Sequence, residues 1–237
     1  AVGYRRHTRG LTPMAVAFDG RRWVDHSPDG PTGSTFAAVS GTSARDVWAA
    51  GSRGTARPFP LVDHWNGSRW SAVTLPRLPT DLWSADVTSI HAVSPTLVWA
   101  VGLASTKDGQ TRAFILRASD GHWRYVTTPN PPRSARELFG VDAGTPTTGW
   151  AVGDSAPAGA LSQALALRWD GHVWTQAAVP RPGRASWLFG VDTVAPGNTW
   201  AVGRFTDHEG VHDLIAHYSS GTWHRVVGPN LGPGSGL

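Results

Sequence analysis

The sequence predicts an all-β protein built from a repeated antiparallel unit, and three observations support this class. A Val-Trp-Ala-Ala-Gly segment at residues 47–51 returns three times in close variants, so that its tryptophan recurs every 50 or 51 residues. A glycine-containing turn followed by tryptophan occurs five times along the chain. The 237 residues include 28 glycines and 18 prolines, which favour many turns over long helices. A period near 50 residues indicates one supersecondary unit copied along the chain.

Each unit is expected to contain four strands, labelled A to D in chain order. Strand A precedes the Trp-Ala-Val-Gly motif, strand B carries it, strand C is an apolar run, and strand D begins near the tryptophan after the turn. In one complete unit these strands are residues 138–142, 150–153, 164–169 and 174–178. Asp-Gly between two apolar runs predicts a hairpin, because glycine accepts the positive φ of a tight turn. Four antiparallel strands in about 50 residues form the blade of a β-propeller.

The predicted fold is a five-bladed β-propeller with four antiparallel strands per blade, whose first blade lacks its inner strand A. Strands B, C and D are each expected five times, and strand A only four times. We predict a single domain over residues 1–237. Its blades are expected at residues 1–27, 35–75, 86–128, 136–179 and 186–227. The chain stops at residues 234–237, where a fifth strand A is due, so we expect a partner segment or chain to complete the first blade, since open edge strands invite pairing.

These motifs carry a resemblance to bacterial β-propeller repeat proteins, and it covers the whole chain. The Asp-Gly-His-Val-Trp turn at residues 170–174 is similar to the Asp-box of sialidase-like propellers. The unit length and blade number resemble five-bladed lectins of the tachylectin type. The resemblance is one of architecture and implies that these turns are structural. No copy meets the full Ser-x-Asp-x-Gly-x-x-Trp pattern, and no sialidase set of arginines with a tyrosine nucleophile can be assigned.

The composition excludes several classes of function. The chain contains no cysteine, which excludes disulfides, thiolate metal sites and cysteine nucleophiles. No apolar run approaches 18 residues, so no membrane span is expected. The net charge is +4 without any cluster of five Lys or Arg residues, so we expect no nucleic acid partner. The arginine-rich, cysteine-free composition favours a secreted or cell-surface bacterial protein.

Most tryptophans are predicted to be scaffold, because eleven of the thirteen occupy repeated positions and should pack in the core. A second repeated position lies eight residues before the strand B tryptophan. It holds Ser40, His91, Asp142 and Asp192. We expect these polar side chains to hydrogen-bond the adjacent turn or blade, since the mixed set lacks the regularity of a metal-binding ring.

The residues that do not repeat lie mainly in the B–C and D–A loops, which share one end of each blade. These loops hold more than half of the Lys and Arg residues and both tryptophans outside the repeat. Tryptophan near arginine suits stacking on a sugar ring or recognition of an anionic group. The predicted ligand-binding residues are Trp83, Trp187, Arg5, Arg6, Arg136, Arg184, Asp207 and His208. The competing interpretation is that both tryptophans fold over the blade ends as a lid for the core.

The favoured hypothesis is a non-catalytic, lectin-like module that recognises carbohydrate or protein through this loop end. One alternative is an enzyme with its site at the mouth of the central channel, either glycoside-active or a small-molecule cyclase; its acid–base candidates are Asp154, Asp207, His208 and Glu209. Another is a structural or assembly domain of a longer protein. No catalytic residue or cofactor is assigned, since no catalytic constellation is visible. No metal is assigned either, because Gly210 disfavours the helix that a zinc site at His208 and His212 requires.

Overall fold

In a computed structural model, which describes residues 1–228, all regular secondary structure is β-strand. The strands form five antiparallel sheets, in each of which the neighbours follow chain order. The first sheet has three strands and the other four have four each. The fold is therefore a five-bladed β-propeller with a three-stranded first blade, as predicted. The expected break in the repeat at residues 234–237 lies outside the described residues. Nothing in residues 1–228 forms a helix long and apolar enough to cross a membrane.

The strands are numbered β1 to β19. The first two sheets contain β1 (Val2–His7), β2 (Gly10–Phe18), β3 (Trp23–Asp25), β4 (Ser34–Ser43), β5 (Asp46–Arg53), β6 (Phe59–Trp65) and β7 (Trp70–Ala72). The third contains β8 (Leu82–Ser94), β9 (Leu97–Thr106), β10 (Thr111–Ser119) and β11 (His122–Tyr125). The last two contain β12 (Ser134–Thr145), β13 (Thr148–Pro157), β14 (Gln163–Trp169), β15 (Trp174–Ala177), β16 (Ala185–Ala195), β17 (Asn198–Thr206), β18 (Val211–Ser219) and β19 (Thr222–Val226).

The chain divides into two compact units. Unit 1 comprises Ala1–Gly109 and Phe114–Val126, and unit 2 comprises Gln110–Ala113 and Thr127–Leu237. Unit 1 thus holds the first three sheets apart from the first residues of β10, and unit 2 holds the last two sheets.

The glycine of the Trp-Ala-Val-Gly motif is required by close approach within a sheet. A Cβ atom on Gly153 would lie 1.9 Å from the carbonyl oxygen of Glu137 on the neighbouring strand β12. The β12–β13 register shifts between Leu138 and Gly140, which marks a bulge beside this contact. Gly203 makes the same approach to the carbonyl oxygen of its own neighbouring strand, at 2.0 Å. Any side chain at this position would push the paired strands apart.

The predicted hairpin at the Asp170-Gly171 turn is present, and its aspartate bonds the turn itself. The carboxylate of Asp170 accepts the backbone N–H groups of His172 and Val173, both at 2.8 Å. Gly171 has a φ of 101°, which the turn between β14 and β15 requires. These two bonds satisfy the turn without any side chain from another sheet.

The core of unit 2 is organised around the strand B tryptophan of the fourth sheet. Trp150 packs on Tyr218 and Trp223 of the fifth sheet, with ring centroids 4.7 and 4.9 Å apart. In unit 1, Trp48 packs on Trp123 of the third sheet in the same way, at 5.8 Å. The tryptophan on strand B of one sheet therefore contacts the strand D tryptophan of the next.

The prediction that all eleven repeated tryptophans are core residues is wrong for two of them. Trp23 is 61% exposed and Trp200 is 37% exposed, whereas Trp99 and Trp150 are buried. Repetition in sequence identifies the position in the sheet, but burial also requires a second sheet to cover it.

The polar residues eight positions before the strand B tryptophan act as expected where their bonds are seen. The hydroxyl of Ser40 accepts the backbone N–H of Ala92 at 3.0 Å. The carboxylate of Asp142 accepts the backbone N–H of Thr193 at 2.8 Å. Each bond joins one sheet to the next within its unit.

Candidate functional site

The first tryptophan outside the repeat, Trp83, is presented to solvent beside an arginine. Trp83 stands at the start of β8 and is 49% exposed. Arg57, in the B–C loop between β5 and β6, holds its guanidinium carbon 4.1 Å from the Trp83 ring centroid and 4.8 Å from that of Phe59. The Nε atom of Arg57 also donates to the Trp83 carbonyl oxygen at 2.5 Å. A cation–π contact and a hydrogen bond therefore fix the arginine against an exposed indole.

The second tryptophan outside the repeat, Trp187, has the same kind of partner. Trp187 on β16 pairs across the sheet with Arg204 on β17. The guanidinium carbon of Arg204 lies 5.1 Å from the Trp187 ring centroid and 5.4 Å from that of Phe189. Phe189 packs on Phe139 at 5.7 Å and is 38% exposed. The result is a partly exposed aromatic patch in unit 2 with one guanidinium on it.

Arg57 and Arg204 are the contacts that sequence reasoning missed. Arg204 was detectable, because it directly follows the Trp-Ala-Val-Gly motif of strand B, and the antiparallel pairing of strands A and B places it opposite Trp187. Arg57 was not, because it reaches Trp83 from a loop 26 residues earlier in the chain.

The structure brings several of the predicted residues to one end of the fifth sheet. Arg184 is exposed and lies immediately before β16, and its backbone N–H donates to the carbonyl oxygen of Thr206 at the end of β17. Asp207 and His208 follow directly in the loop between β17 and β18, two strands that form a hairpin. Together with Trp187, these residues form a polar and aromatic end of one sheet.

Arg5 and Arg6 lie on β1 in unit 1, and both are exposed. Arg5 forms an ion pair with Asp25 at 2.5 Å. The hydroxyl of Ser27 and the Arg5 guanidinium together lower the pKa of Asp25. Nothing in unit 1 brings either arginine to Trp83 within the described contacts.

Arg136 stands apart from the other predicted ligand-binding residues, because the structure places its side chain in the interior. The residue is 4% exposed, and its guanidinium donates to the Pro129 carbonyl oxygen at 2.5 Å and to the Gln176 side chain at 2.7 Å. Burial, and then the charge of Arg181, lower the pKa of Arg136. Arg136 therefore ties a loop to β15 and is not available to a ligand at the surface.

A cluster of potential metal ligands occurs in the loop after β17, where Asp207, Glu209 and His212 place ligand atoms within 4.8 Å of one another. The Asp207 carboxylate already accepts the backbone N–H of Glu209 at 2.8 Å and contacts His212 at 2.9 Å. The Glu209 N–H and the His212 contact lower the pKa of Asp207. These bonds describe an Asx turn closed by histidine. His208 is exposed and lies outside the cluster, 3.7 Å from Glu209.

One pair of carboxylates lies side by side in unit 2. Glu137 on β12 and Asp154 on β13 are directly paired across the sheet. Asp154 is buried and Glu137 is half-buried. Burial raises the pKa of both groups, and the Asp154 charge raises that of Glu137 further. Asp154 was a sequence candidate for acid–base chemistry, whereas Glu137 was not.

No protein-family model and no curated protein matches this sequence. Among solved structures, an ulvan lyase of polysaccharide lyase family PL25 is similar at 12% identity and a TM-score of 0.63, covering 91% of this chain and 61% of that one. The same lyase bound to -[GlcA(1-4)Rha3S]- is similar at 11% identity with the same coverage and TM-score. A protein of unknown function from Dyadobacter fermentans DSM 18053 is similar at 12% identity and a TM-score of 0.63, covering 95% of this chain and 74% of that one.

The chain spans about 61% of the length of the lyase that it resembles. At these identities the likeness extends to the fold, and it supports the β-propeller found in the strand topology.

Proposed function

We propose that the protein is a non-catalytic module that binds carbohydrate through the loop ends of its sheets. The observation that carries this proposal is that both tryptophans outside the repeat, Trp83 and Trp187, hold an arginine across the ring. An indole offers an apolar face for the C–H groups of a sugar, and a guanidinium fork pairs with a carboxylate or sulfate. A glycan with acidic groups uses both features.

The choice of an acidic glycan has two supports. Each of the two tryptophans already holds a guanidinium against its ring, Arg57 at Trp83 and Arg204 at Trp187, which suits an anionic group on the ligand. In addition, one solved structure with a similar fold is bound to -[GlcA(1-4)Rha3S]-. We further propose that the module acts outside a bacterial cell, either secreted or at the surface, which fractionation of the producing organism tests.

The test is glycan binding by the Trp83→Ala and Trp187→Ala variants, each measured alone by array and calorimetry. We expect at least tenfold weaker binding of acidic glycans, equal to about 1.4 kcal/mol, from the variant that loses the contacting indole. Trp23→Ala is the control, since Trp23 is exposed but is not stacked with an arginine in the described contacts.

Arg57→Lys and Arg204→Lys sharpen the test, because lysine keeps the charge and loses the planar fork. These variants should weaken acidic glycans and spare neutral ones. The proposal is wrong if the unaltered protein binds no glycan, or if both tryptophan variants bind as well as Trp23→Ala does. If the protein binds a protein partner and no glycan, the same surface would be a protein-recognition site instead of a carbohydrate site.

A second candidate, an enzyme acting on a glycan, is favoured by the Glu137–Asp154 pair. Two adjacent carboxyl groups with raised pKa values can share a proton, which is the state required of a general acid. Burial of Asp154 holds the pair away from bulk water.

Product formation tests this candidate against the first. If the protein cleaves acidic glycans, Glu137→Gln and Asp154→Asn should abolish the release of new chain ends while glycan binding persists. Asp207→Asn and Glu209→Gln test the other acid–base candidates named from the sequence, which lie in the loop after β17; loss of product from these variants alone would move the acid–base role to that loop. Absence of product from the unaltered protein ends the enzymatic candidate and leaves the binding proposal intact.

A further inference from the structure

One position in strand C breaks the internal repeat in a way that the scaffold does not require. In every sheet one residue of strand C pairs with the strand D tryptophan. The residue two positions earlier on strand C is therefore equivalent in all five sheets. Four of the five are aliphatic: Val16, Leu116, Leu167 and Ala216. The second sheet has Asp63 instead.

Asp63 is buried without compensation. The residue is 5% exposed, and its Oδ1 atom has no hydrogen-bond partner among residues 1–228. Burial alone raises the pKa of Asp63 to about 6. A buried acceptor without a partner destabilises a fold. An aliphatic side chain would avoid this cost, as it does in the other four sheets, so the carboxylate points to a partner from outside the chain.

A cavity of about 430 Å³ in unit 1 gives such a partner access to Asp63. Its walls include the rings of Trp65 and Trp70, whose centroids lie 5.7 Å apart at an angle of 49°. His26 also lines the cavity, with its ring 5.0 Å from that of Trp65. The carboxylate therefore sits in a cavity lined by three aromatic rings.

The charges around the cavity favour a cation. Asp29 adds a second acid to the lining, and Arg69 contributes one exposed guanidinium. Arg69 forms no ion pair with Asp63 in the described part of the chain, and its charge does not contribute to the shifted pKa of Asp63. The negative charge at the bottom of the cavity is thus left unbalanced by the protein itself.

We propose that this cavity binds an alkylammonium group, held by the Asp63 carboxylate and by the faces of Trp65 and Trp70. Attraction between opposite charges is stronger in a desolvated cavity than in water. Aromatic rings around an ammonium group add cation–π attraction, which is the arrangement used for quaternary ammonium ligands. This site is separate from the proposed glycan site and does not depend on it.

The experiment compares choline with its uncharged isostere 3,3-dimethylbutan-1-ol, by calorimetry on the full chain at pH 7.5. We expect choline to bind at least tenfold more tightly, and Asp63→Asn to weaken choline at least tenfold. Arg69→Gln is the matched control: it removes a positive charge from the lining and should bind choline at least as tightly as the unaltered protein does. Trp83→Ala should also leave choline binding unchanged, which separates this result from the glycan proposal.

Two further measurements identify the source of the ammonium group and check the fold. The affinity of Nα-acetyl-lysine amide is compared with that of its Nε-acetylated form, which lacks the charged side-chain amine. Tighter binding of the first compound would show that the cavity accepts the lysine side chain of a protein partner as well as a small free amine. Asp63→Leu copies the residue found at Leu167 and should raise the urea midpoint while abolishing choline binding. Equal binding of choline and the isostere, unchanged binding in Asp63→Asn, or tighter binding of glucose than of choline would overturn the proposal.

The pH dependence gives an independent check. Asp63 must be ionised to attract the cation, so affinity for choline should fall as the pH drops through about 6. The other titratable or charged groups that face the cavity are His26, Asp29 and Arg69. A His26→Gln variant removes the imidazole that lines the cavity. The fall in affinity should persist in that variant and be absent from Asp63→Asn.

Discussion

The fourth and fifth sheets carry the same Trp-Ala-Val-Gly motif and use it differently. Trp150 is 5% exposed and is packed against Tyr218 and Trp223 of the next sheet. Trp200 is 37% exposed and stacks on His217 of its own sheet, with centroids 4.1 Å apart and an interplanar angle of 12°. The valines differ in the same sense, since Val152 is buried and Val202 is 38% exposed.

The glycines of the two motifs do not differ. Gly153 and Gly203 approach the backbone of the neighbouring strand to the same extent, at 1.9 and 2.0 Å for an added Cβ. The motif therefore combines two separate functions. Its glycine permits pairing inside a sheet, whereas its tryptophan contributes to contact between sheets, as Trp150 does with the fifth sheet.

The largest expected difference between the two sheets is in the free energy of unfolding when each strand B tryptophan is replaced by alanine. Trp150→Ala should lower the free energy of unfolding by about 3–5 kcal/mol, because it leaves a cavity in the core. Trp200→Ala should cost less than about 1.5 kcal/mol, since much of its ring already faces water. Urea titration followed by circular dichroism measures both. Equal costs would contradict the difference in burial between the two tryptophans.

A second test concerns the glycines and should give equal effects in the two sheets. Gly153→Ala and Gly203→Ala should each cost about 1–3 kcal/mol, because the new methyl group forces backbone movement. Gly190→Ala is the control, since its added Cβ would lie 3.4 Å from the Val202 side chain, an ordinary contact. A large difference between Gly153→Ala and Gly203→Ala would contradict the assignment of the glycine to pairing within a sheet.

The smallest expected effect concerns the polar position of strand A. Asp142 is buried and bonds the backbone N–H of Thr193, whereas its equivalent Asp192 is exposed. Asp142→Ala should cost about 1–2 kcal/mol, because it removes a charged hydrogen bond to a part-buried N–H. Asp192→Ala should change stability by less than about 0.5 kcal/mol. The same urea titration distinguishes the two variants, and a greater loss from Asp192→Ala would reverse the comparison.

The repeat period and the turn chemistry were sufficient to predict the fold. Asp-Gly turns and close-approach glycines act through neighbours in the same sheet, so local sequence contains their cause. The burial of Trp23 and Trp200 was predicted wrongly, because it depends on contact with another sheet, which the motif does not encode.

The candidate sites were predictable only in part. Trp83 and Trp187 were identified because they fall outside the repeat. Arg136 resembled the surrounding loop arginines, and only the structure shows its side chain turned into the interior. Asp63 could not be identified from the sequence alone. Only the pairing of strands C and D shows that it occupies the position that Leu167 occupies in the fourth sheet.

The pairing of tryptophans across sheets has a consequence for protein engineering. The fourth sheet presents Trp150 on strand B, and the fifth receives it with Trp223 on strand D, while the fourth also carries its own strand D tryptophan, Trp174. A duplicated cassette of residues 134–184 keeps β12 to β15 and the connection that leads to β16, and it carries both a strand B and a strand D tryptophan. Inserting this cassette once should add a sheet that packs on its neighbour through the same pair of tryptophans.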